Sequence, residues 1–146
     1  MANINSAVQQ YAAMSKESGA AYADPHQLIL MLFDGALDRI AAAKGAILRS
    51  DVAEKGILIS KAITIIDGLR AHLDHEKGGE ISTNLKDLYD YMEMTLFNAN
   101  LESDQAKLDE VAGLISEIRE GWVGIADQVR NQSAVATSEE NGSKSV

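Results

Sequence analysis

The stretch DQAKLDEVAGLISEIREGWVGIADQVR, residues 104–130, decides the fold. Its apolar residues Leu108, Val111, Ile115, Ile118, Trp122, Ile125 and Val129 alternate three and four apart without a break. That spacing keeps them all on one face of an α-helix, with Ser103 or Asp104 as the cap at its start. The same alternation runs through Ile59, Ala62, Ile66, Leu69 and Leu73, and again through Ile81, Leu85, Leu88, Met92 and Leu96. Seams of this kind bury against partner helices at the shallow crossing of a bundle.

Start and stop signals divide the rest of the chain. Asp24-Pro25 opens a first helix, Asp as N-cap and Pro at the first helical position, running to about Leu48. Asp51 with Glu54 three residues on opens a second, expected to run to about Glu76 and to end at Gly78-Gly79. The third is expected from about Ser82 to Ala99, and the fourth to about Val129. Each is about 18–26 residues, or ~27–39 Å at 1.5 Å per residue, and the connections are short. Similar lengths joined by short turns make neighbours antiparallel. The expected fold is therefore all-α, an antiparallel four-helix bundle over residues 24–130.

The two ends read differently. Residues 131–146 are mostly Ser, Asn, Glu, Gly and Ala with only Val135 and Val146 as large apolar residues, and such a segment buries too little to offset its ordering entropy. A disordered tail is expected there. In residues 1–23, Ile4, Val8 and Tyr11 are four and three apart and share one face of a short helix, which persists only by lying on the bundle.

Composition agrees with this architecture. The 146 residues include no cysteine, which removes disulfides and thiolate metal sites, and a single proline, Pro25. Hydrophobic residues make up 46% and aromatic residues 5%. Abundant Ala and Leu favour helix over an all-β fold. Acids and bases balance through Leu73, so the net charge of −9 lies entirely from Asp74 onward. That charge argues against a nucleic-acid partner, which needs a basic surface. No apolar run approaches the roughly 18–20 residues of a membrane span, and the first residues lack a basic-then-apolar leader. The expected location is the cytosol, without membrane insertion.

Apolar surface exceeds what a bundle needs. The first helix carries two seams, Ile29, Ala36, Ile40 and Ile47, and one residue on Leu30, Leu37, Ala41 and Leu48. The third carries Met94, Phe97 and Leu101 roughly opposite its main seam, and the second adds Leu58 and Ile65 beside its own. Irregular bundles bury wide faces, which accounts for part of this surplus. Contiguous exposed apolar surface otherwise marks a binding site, and a groove of this kind suits an amphipathic partner helix. Leu30, Leu37, Leu58, Ile65, Met94, Phe97 and Leu101 are the candidate contacts.

Catalytic and metal signatures are weak. His72, Asp74, His75 and Glu76 crowd one helix end, but neither histidine has Glu three residues before it, as a carboxylate-bridged site needs, and His-Glu-x-x-His is absent. A histidine phosphotransfer bundle is a rival reading of His75, yet Lys77 is two residues on and Gly78-Gly79 follows at once. No phosphate-binding glycine loop is present, and Trp122 continues a seam. The chain is expected to be no enzyme and to use no cofactor or metal.

Several motifs in order then carry a resemblance. Asp24-Pro-His-Gln-Leu-Ile-Leu-Met-Leu-Phe-Asp-Gly-Ala36, Lys61-Ala-Ile-Thr-Ile-Ile-Asp67, Leu73-Asp-His-Glu-Lys-Gly-Gly-Glu-Ile81, Asn84-Leu85, Leu88-Tyr-Asp-Tyr-Met92, Leu96 through Asn100, and Gly121-Trp122 together resemble the flagellar secretion chaperone family, FliS. The resemblance spans about residues 6–125. Asp24 stands where that family usually has Ser, a harmless change at an N-cap, and the tail carries no family motif. The resemblance implies a cytosolic four-helix bundle that binds the C-terminal segment of flagellin, prevents its premature polymerisation and escorts it to the export gate. That segment would be disordered when free and helical when wrapped on the bundle. It implies an export-gate membrane protein as a second partner; an anti-sigma factor or a co-chaperone is a further candidate outside what the resemblance implies, the anti-sigma factor also as a rival reading of the bundle. It also implies an N-terminal segment, here Val8 and Tyr11, able to cover part of the binding surface. An adaptor for another export substrate is the other reading of a helix-binding bundle.

Truncation after Arg130 removes no seam residue, so the melting temperature should stay nearly unchanged. A drop of several degrees in a calorimetric melt would mean that the tail docks on the bundle.

Overall fold

The computed structural model describes the backbone of residues 24–144 and the side chains of residues 24–125. Four helices follow one another: α1, Pro25–Leu48; α2, Val52–Ala71; α3, His75–Glu102; and α4, Gln105–Lys144. Each contacts only its two neighbours in a ring, α1 with α2 and α4, and α3 with α2 and α4. Cross-helix contacts fix the directions. Asp34 meets Arg119, Lys44 meets Asp109, and the Trp122 indole donates to the His26 carbonyl, so α1 and α4 run antiparallel. Lys55 meets Asn100 while Arg70 meets Asp90, so α2 and α3 do too.

Aspartate starts every helix. Asp24, Asp51 and Asp74 each accept from the backbone N–H three residues on, at 2.8, 3.1 and 3.0 Å, and Asp104 accepts from Ala106 and Lys107. Each carboxylate satisfies N–H groups that have no intrahelical partner and sits at the positive end of the helix dipole.

Two of the three connections share one device. Ser50 and Ser103 are the two described non-glycine residues with positive φ, 58° and 51°. After each, an aspartate N–H returns to a carbonyl of the preceding helix, Asp51 to Ala46 at 2.9 Å and Asp104 to Ala99 at 3.0 Å. The same aspartate thus closes one helix through its backbone and opens the next through its side chain, in the geometry of a Schellman cap. Beside the second turn lies Lys55, only 6% exposed, whose ammonium donates to the Asn100 carbonyl at 2.9 Å and to Ser103 Oγ at 2.7 Å. A cation at the carbonyl end of α3 is favoured by the helix dipole.

The middle connection corrects the expected boundaries. α2 ends at Ala71, and Asp74 caps a new turn at His75 rather than lying within α2. Gly78-Gly79 therefore articulates the first turn of α3 and does not end α2. Gly79 leaves helical geometry (φ 50°, ψ −121°), a conformation that favours glycine. A Cβ on Gly78 would lie 1.9 Å from Ser82 Oγ, which itself donates to the Asp74 carbonyl at 2.9 Å. One glycine supplies the bend and the other the close approach.

The core follows the alternating period with a shift in α1. Leu32, Phe33, Gly35, Ala36, Ile40, Ala43 and Ala46 are its buried residues, so Leu32 and Phe33, absent from both expected seams, join the centre. The second expected seam is a flank: Leu30 and Leu37 are half-buried, while Ala41 and Leu48 are exposed. The α1–α2 interface is the most extensive of the ring, and both helices bury small residues, Gly35, Ala36, Ala43 and Ala46 in α1 and Ala62 in α2. In α3, Met92 and Leu96 are fully buried, Leu85 and Leu88 half-buried, and Ile81 is exposed, contrary to its place in the expected seam. In α4, Leu108, Val111 and Ile115 are fully buried, Ile118 and Trp122 partly, and Ile125 is half exposed. Trp122 is level with the start of α1, so one turn further α4 has no α1 beside it. α4 continues past the expected end at Val129, as far as Lys144. Backbone hydrogen bonding alone can continue a helix there; whether residues 131–146 pack on anything lies outside the described side chains, as does the packing of residues 1–23.

The left-handed serines give a paired expectation. A non-glycine residue in that region carries strain of roughly 1–2 kcal/mol, partly offset by the extra chain entropy of glycine, so Ser50→Gly should stabilise by up to ~1 kcal/mol. Ser103→Gly should gain less or destabilise, because it removes the hydroxyl that accepts from buried Lys55. Urea melts that show equal gains would remove Ser103 from the Lys55 site.

Candidate functional site

Among the described residues, an apolar stripe and a mixed groove stand out on the outside of the ring. On α3, Met94, Phe97 and Leu101 are 64%, 57% and 69% exposed, one stripe at three- and four-residue spacing along the outer face. Tyr91 flanks it, with its hydroxyl donating to Glu110 of α4. Between α1 and α4 runs an open groove of about 450 Å³ lined by Asp34, Leu37, Ser116, Arg119, Glu120 and Val123. Leu30, seven residues before Leu37, continues its α1 wall. An Asp34–Arg119 ion pair of 2.6 Å crosses that groove. α1 and α3 do not touch, so these surfaces lie on different sides of the bundle.

The structure separates the expected contact residues. Met94, Phe97 and Leu101 are exposed together, and Leu30 and Leu37 are half-buried along the groove. Leu58 and Ile65 are buried in the core, so the expectation that they form surplus surface is corrected. Both stand beside the α2 seam, and the core extends far enough to bury them. Val8 and Tyr11 lie outside the described residues.

A polar cluster between α2 and α3 carried no sequence signal as a unit. Arg70 reaches Asp67 at 2.8 Å, Asp90 at 3.0 Å and Glu93 at 2.5 Å, and Lys86 reaches Asp90 at 2.8 Å. Three carboxylates thus converge on one guanidinium. Burial pushes the Glu93 carboxyl up to about 7, the neighbouring Asp67 carboxylate adds to the rise, and Arg70 opposes it. Glu93 Oε1 is buried without a hydrogen-bond partner. The pairs at three and four residues, Asp67–Arg70 and Lys86–Asp90, were readable locally. Their convergence across two helices was not.

The histidines sit at helix ends, His26 and His75 in first turns and His72 at the C-cap of α2. His72 Nδ1 lies 2.9 Å from the Gly68 carbonyl and donates to it, as a helix end requires. Among the described residues no group of three His, Cys, Asp or Glu side chains converges for a metal, and no helix is long and apolar enough to cross a membrane. Trp122 packs its ring on His26 at 4.8 Å between centroids and serves to dock α4 on the start of α1.

Comparison with known proteins points the same way as the motifs. A family model described as flagellar protein FliS matches residues 7–129. The chain is 49% identical over 120 residues to the flagellar secretion chaperone FliSB of Pseudomonas aeruginosa, covering 82% of this chain and 95% of that protein. It is 49% identical over 130 residues to the flagellar secretion chaperone FliS of Salmonella typhimurium, covering 88% and 96%. With the FliS of Bacillus subtilis it shares 33% identity over 116 residues, 80% and 86% of the two chains.

The exposure of the stripe yields a contrast between two phenylalanines. Phe33→Ala, at a core position 1% exposed, should cost about 3–5 kcal/mol. Phe97→Ala should cost less than about 1 kcal/mol, as surface substitutions do. Paired urea melts measure both, and a large loss for Phe97 would place it in the core.

Proposed function

The chain belongs to the flagellar protein FliS family, and from that membership we propose that it is a flagellar secretion chaperone that binds the C-terminal segment of flagellin. The observation that carries the reading beyond family membership is the uncovered apolar stripe Met94, Phe97 and Leu101, set at the spacing with which a helix groove receives apolar anchors. The half-buried flank Leu30 and Leu37 extends the surface on another side of the ring. Because α1 and α3 are diagonal, one segment meets both only by passing around the bundle. A segment that is disordered when free and helical when bound suits that path.

Sequestration is the mechanism, with no ATP and no covalent step. Flagellin assembles through its terminal helical segments, so holding one of them on the bundle keeps the subunit from polymerising. Ordering the segment costs about 2–5 kcal/mol or more of the gross interaction, which leaves an affinity that permits release. The loaded chaperone works in the bacterial cytosol and delivers its cargo to an export-gate membrane protein. In the empty chaperone, Ile4, Val8 and Tyr11 cover part of the apolar surface and are displaced by the cargo, which marks the loaded state for the gate.

Calorimetric titration of the full chain with the C-terminal segment of the same organism's flagellin tests this. Saturable 1:1 binding is expected, weakened severalfold by Phe97→Ala with little loss of stability. Val8→Ala with Tyr11→Ala should leave that affinity unchanged or slightly tighter while raising self-association of the free protein. Loss of both stability and affinity in this double variant would make the N-terminal segment a fixed part of the bundle. No binding of the segment would overturn the reading as a whole.

A further inference from the structure

We propose that Glu93 couples occupation of the α3 stripe to the uptake of a proton, so that the chaperone holds its partner more tightly in mildly acidic than in mildly alkaline solution. The inference rests on the flagellin reading for the identity of the partner, and on the α2–α3 cluster for the proton.

Phe97 lies four residues after Glu93, hence one turn along the same face of α3. Phe97 is more than half exposed, and the Glu93 side chain keeps 21% of its own exposure. An apolar helix laid over Phe97 removes water from the neighbouring turn. Removing water from a carboxyl disfavours its charged form, so covering the stripe raises the proton affinity of Glu93 above its already raised value. Among the described residues, Asp67 and Arg70 on α2 act on it directly, and Asp90 and Lys86 on α3 join the same cluster through Arg70. α4 presents its carboxylate Glu110 to Tyr91 on the other flank of α3. With all five groups charged the cluster carries two cations and three anions, and a proton on Glu93 balances it.

The sign follows from linkage. In the free protein Glu93 is raised to about 7 from an ordinary 4.5, so its contribution to stability is fully present below about pH 4.5 and is lost as the pH rises through 7. The bound state holds the proton more strongly still. Between pH 6 and 8 binding therefore takes up a fraction of one proton, and affinity falls by up to about tenfold across that range.

The test is titration of the full chain with the flagellin C-terminal segment at pH 6, 7 and 8, in pairs of buffers that differ in ionisation enthalpy. Proton uptake should peak near neutral pH. Glu93→Gln should abolish it and hold the pH 6 affinity at pH 8. Asp67→Asn removes the carboxylate that helps retain the proton, and should move the pH dependence to lower pH. Carbon-detected NMR of the free protein should place the Glu93 carboxyl midpoint near 7; a midpoint near 4.5 overturns the proposal. Binding without proton uptake, or a pH dependence that Glu93→Gln leaves in place, overturns it while the flagellin reading stands. Absence of binding at every pH overturns both.

Discussion

A four-helix ring has room at its centre for one stripe from each helix, and the rest of this protein depends on which stripes take those places. Leu32, Phe33 and Ile40 from α1, Ile59 and Ile66 from α2, Met92 and Leu96 from α3, and Leu108, Val111 and Ile115 from α4 are all fully buried. Each such side chain contributes about 1.5–3 kcal/mol of burial, set against the chain entropy lost in ordering it. Once these positions are filled, any further apolar residue on the same helices must go to a flank or to the outside. Met94, Phe97 and Leu101 are therefore a consequence of the core as much as of their own spacing. Their helix gives its inner face to Met92 and Leu96 and has only its outer face left for them.

The turns set the register in which those stripes meet. In Ser50-Asp51 and Ser103-Asp104 a single aspartate terminates one helix and initiates the next, so neither connection has slack to slide. Lys55 reinforces the second by placing its ammonium against the last carbonyls of α3. Gly78-Gly79 does different work, admitting Ser82 close to the backbone and bending the first turn of α3 relative to the remainder. Polar chemistry thus fixes where each helix begins, and apolar packing fixes which way it faces.

The same division holds at the candidate site. Its apolar part is a plain stripe with no polar group to orient a ligand, which suits recognition by area and helical spacing. The charged cluster lies one turn away and carries three carboxylates on one guanidinium, an arrangement that structural ion pairing alone does not require. Burial raises the Glu93 carboxyl, so a titratable group sits one turn from the apolar surface.

Local signals in the sequence determined the helix number, the caps at Asp24 and Asp51, the fourth-helix seam as far as Trp122, and the outward place of Met94, Phe97 and Leu101. They did so because capping and the 3.6-residue period act within a few residues, and the outer stripe of α3 stands opposite the buried Met92 and Leu96 of its seam. Tertiary structure decided which face of α1 is central, bringing in Leu32 and Phe33 and leaving Leu48 outside. It buried Leu58 and Ile65, exposed Ile81, and drew Arg70, Asp67, Asp90 and Glu93 together. Those outcomes depend on rotation and register between helices, which are set by contacts across the ring. A periodic pattern on one helix marks an apolar face, but when that face is wider than the space available, only the neighbours determine which part of it is covered.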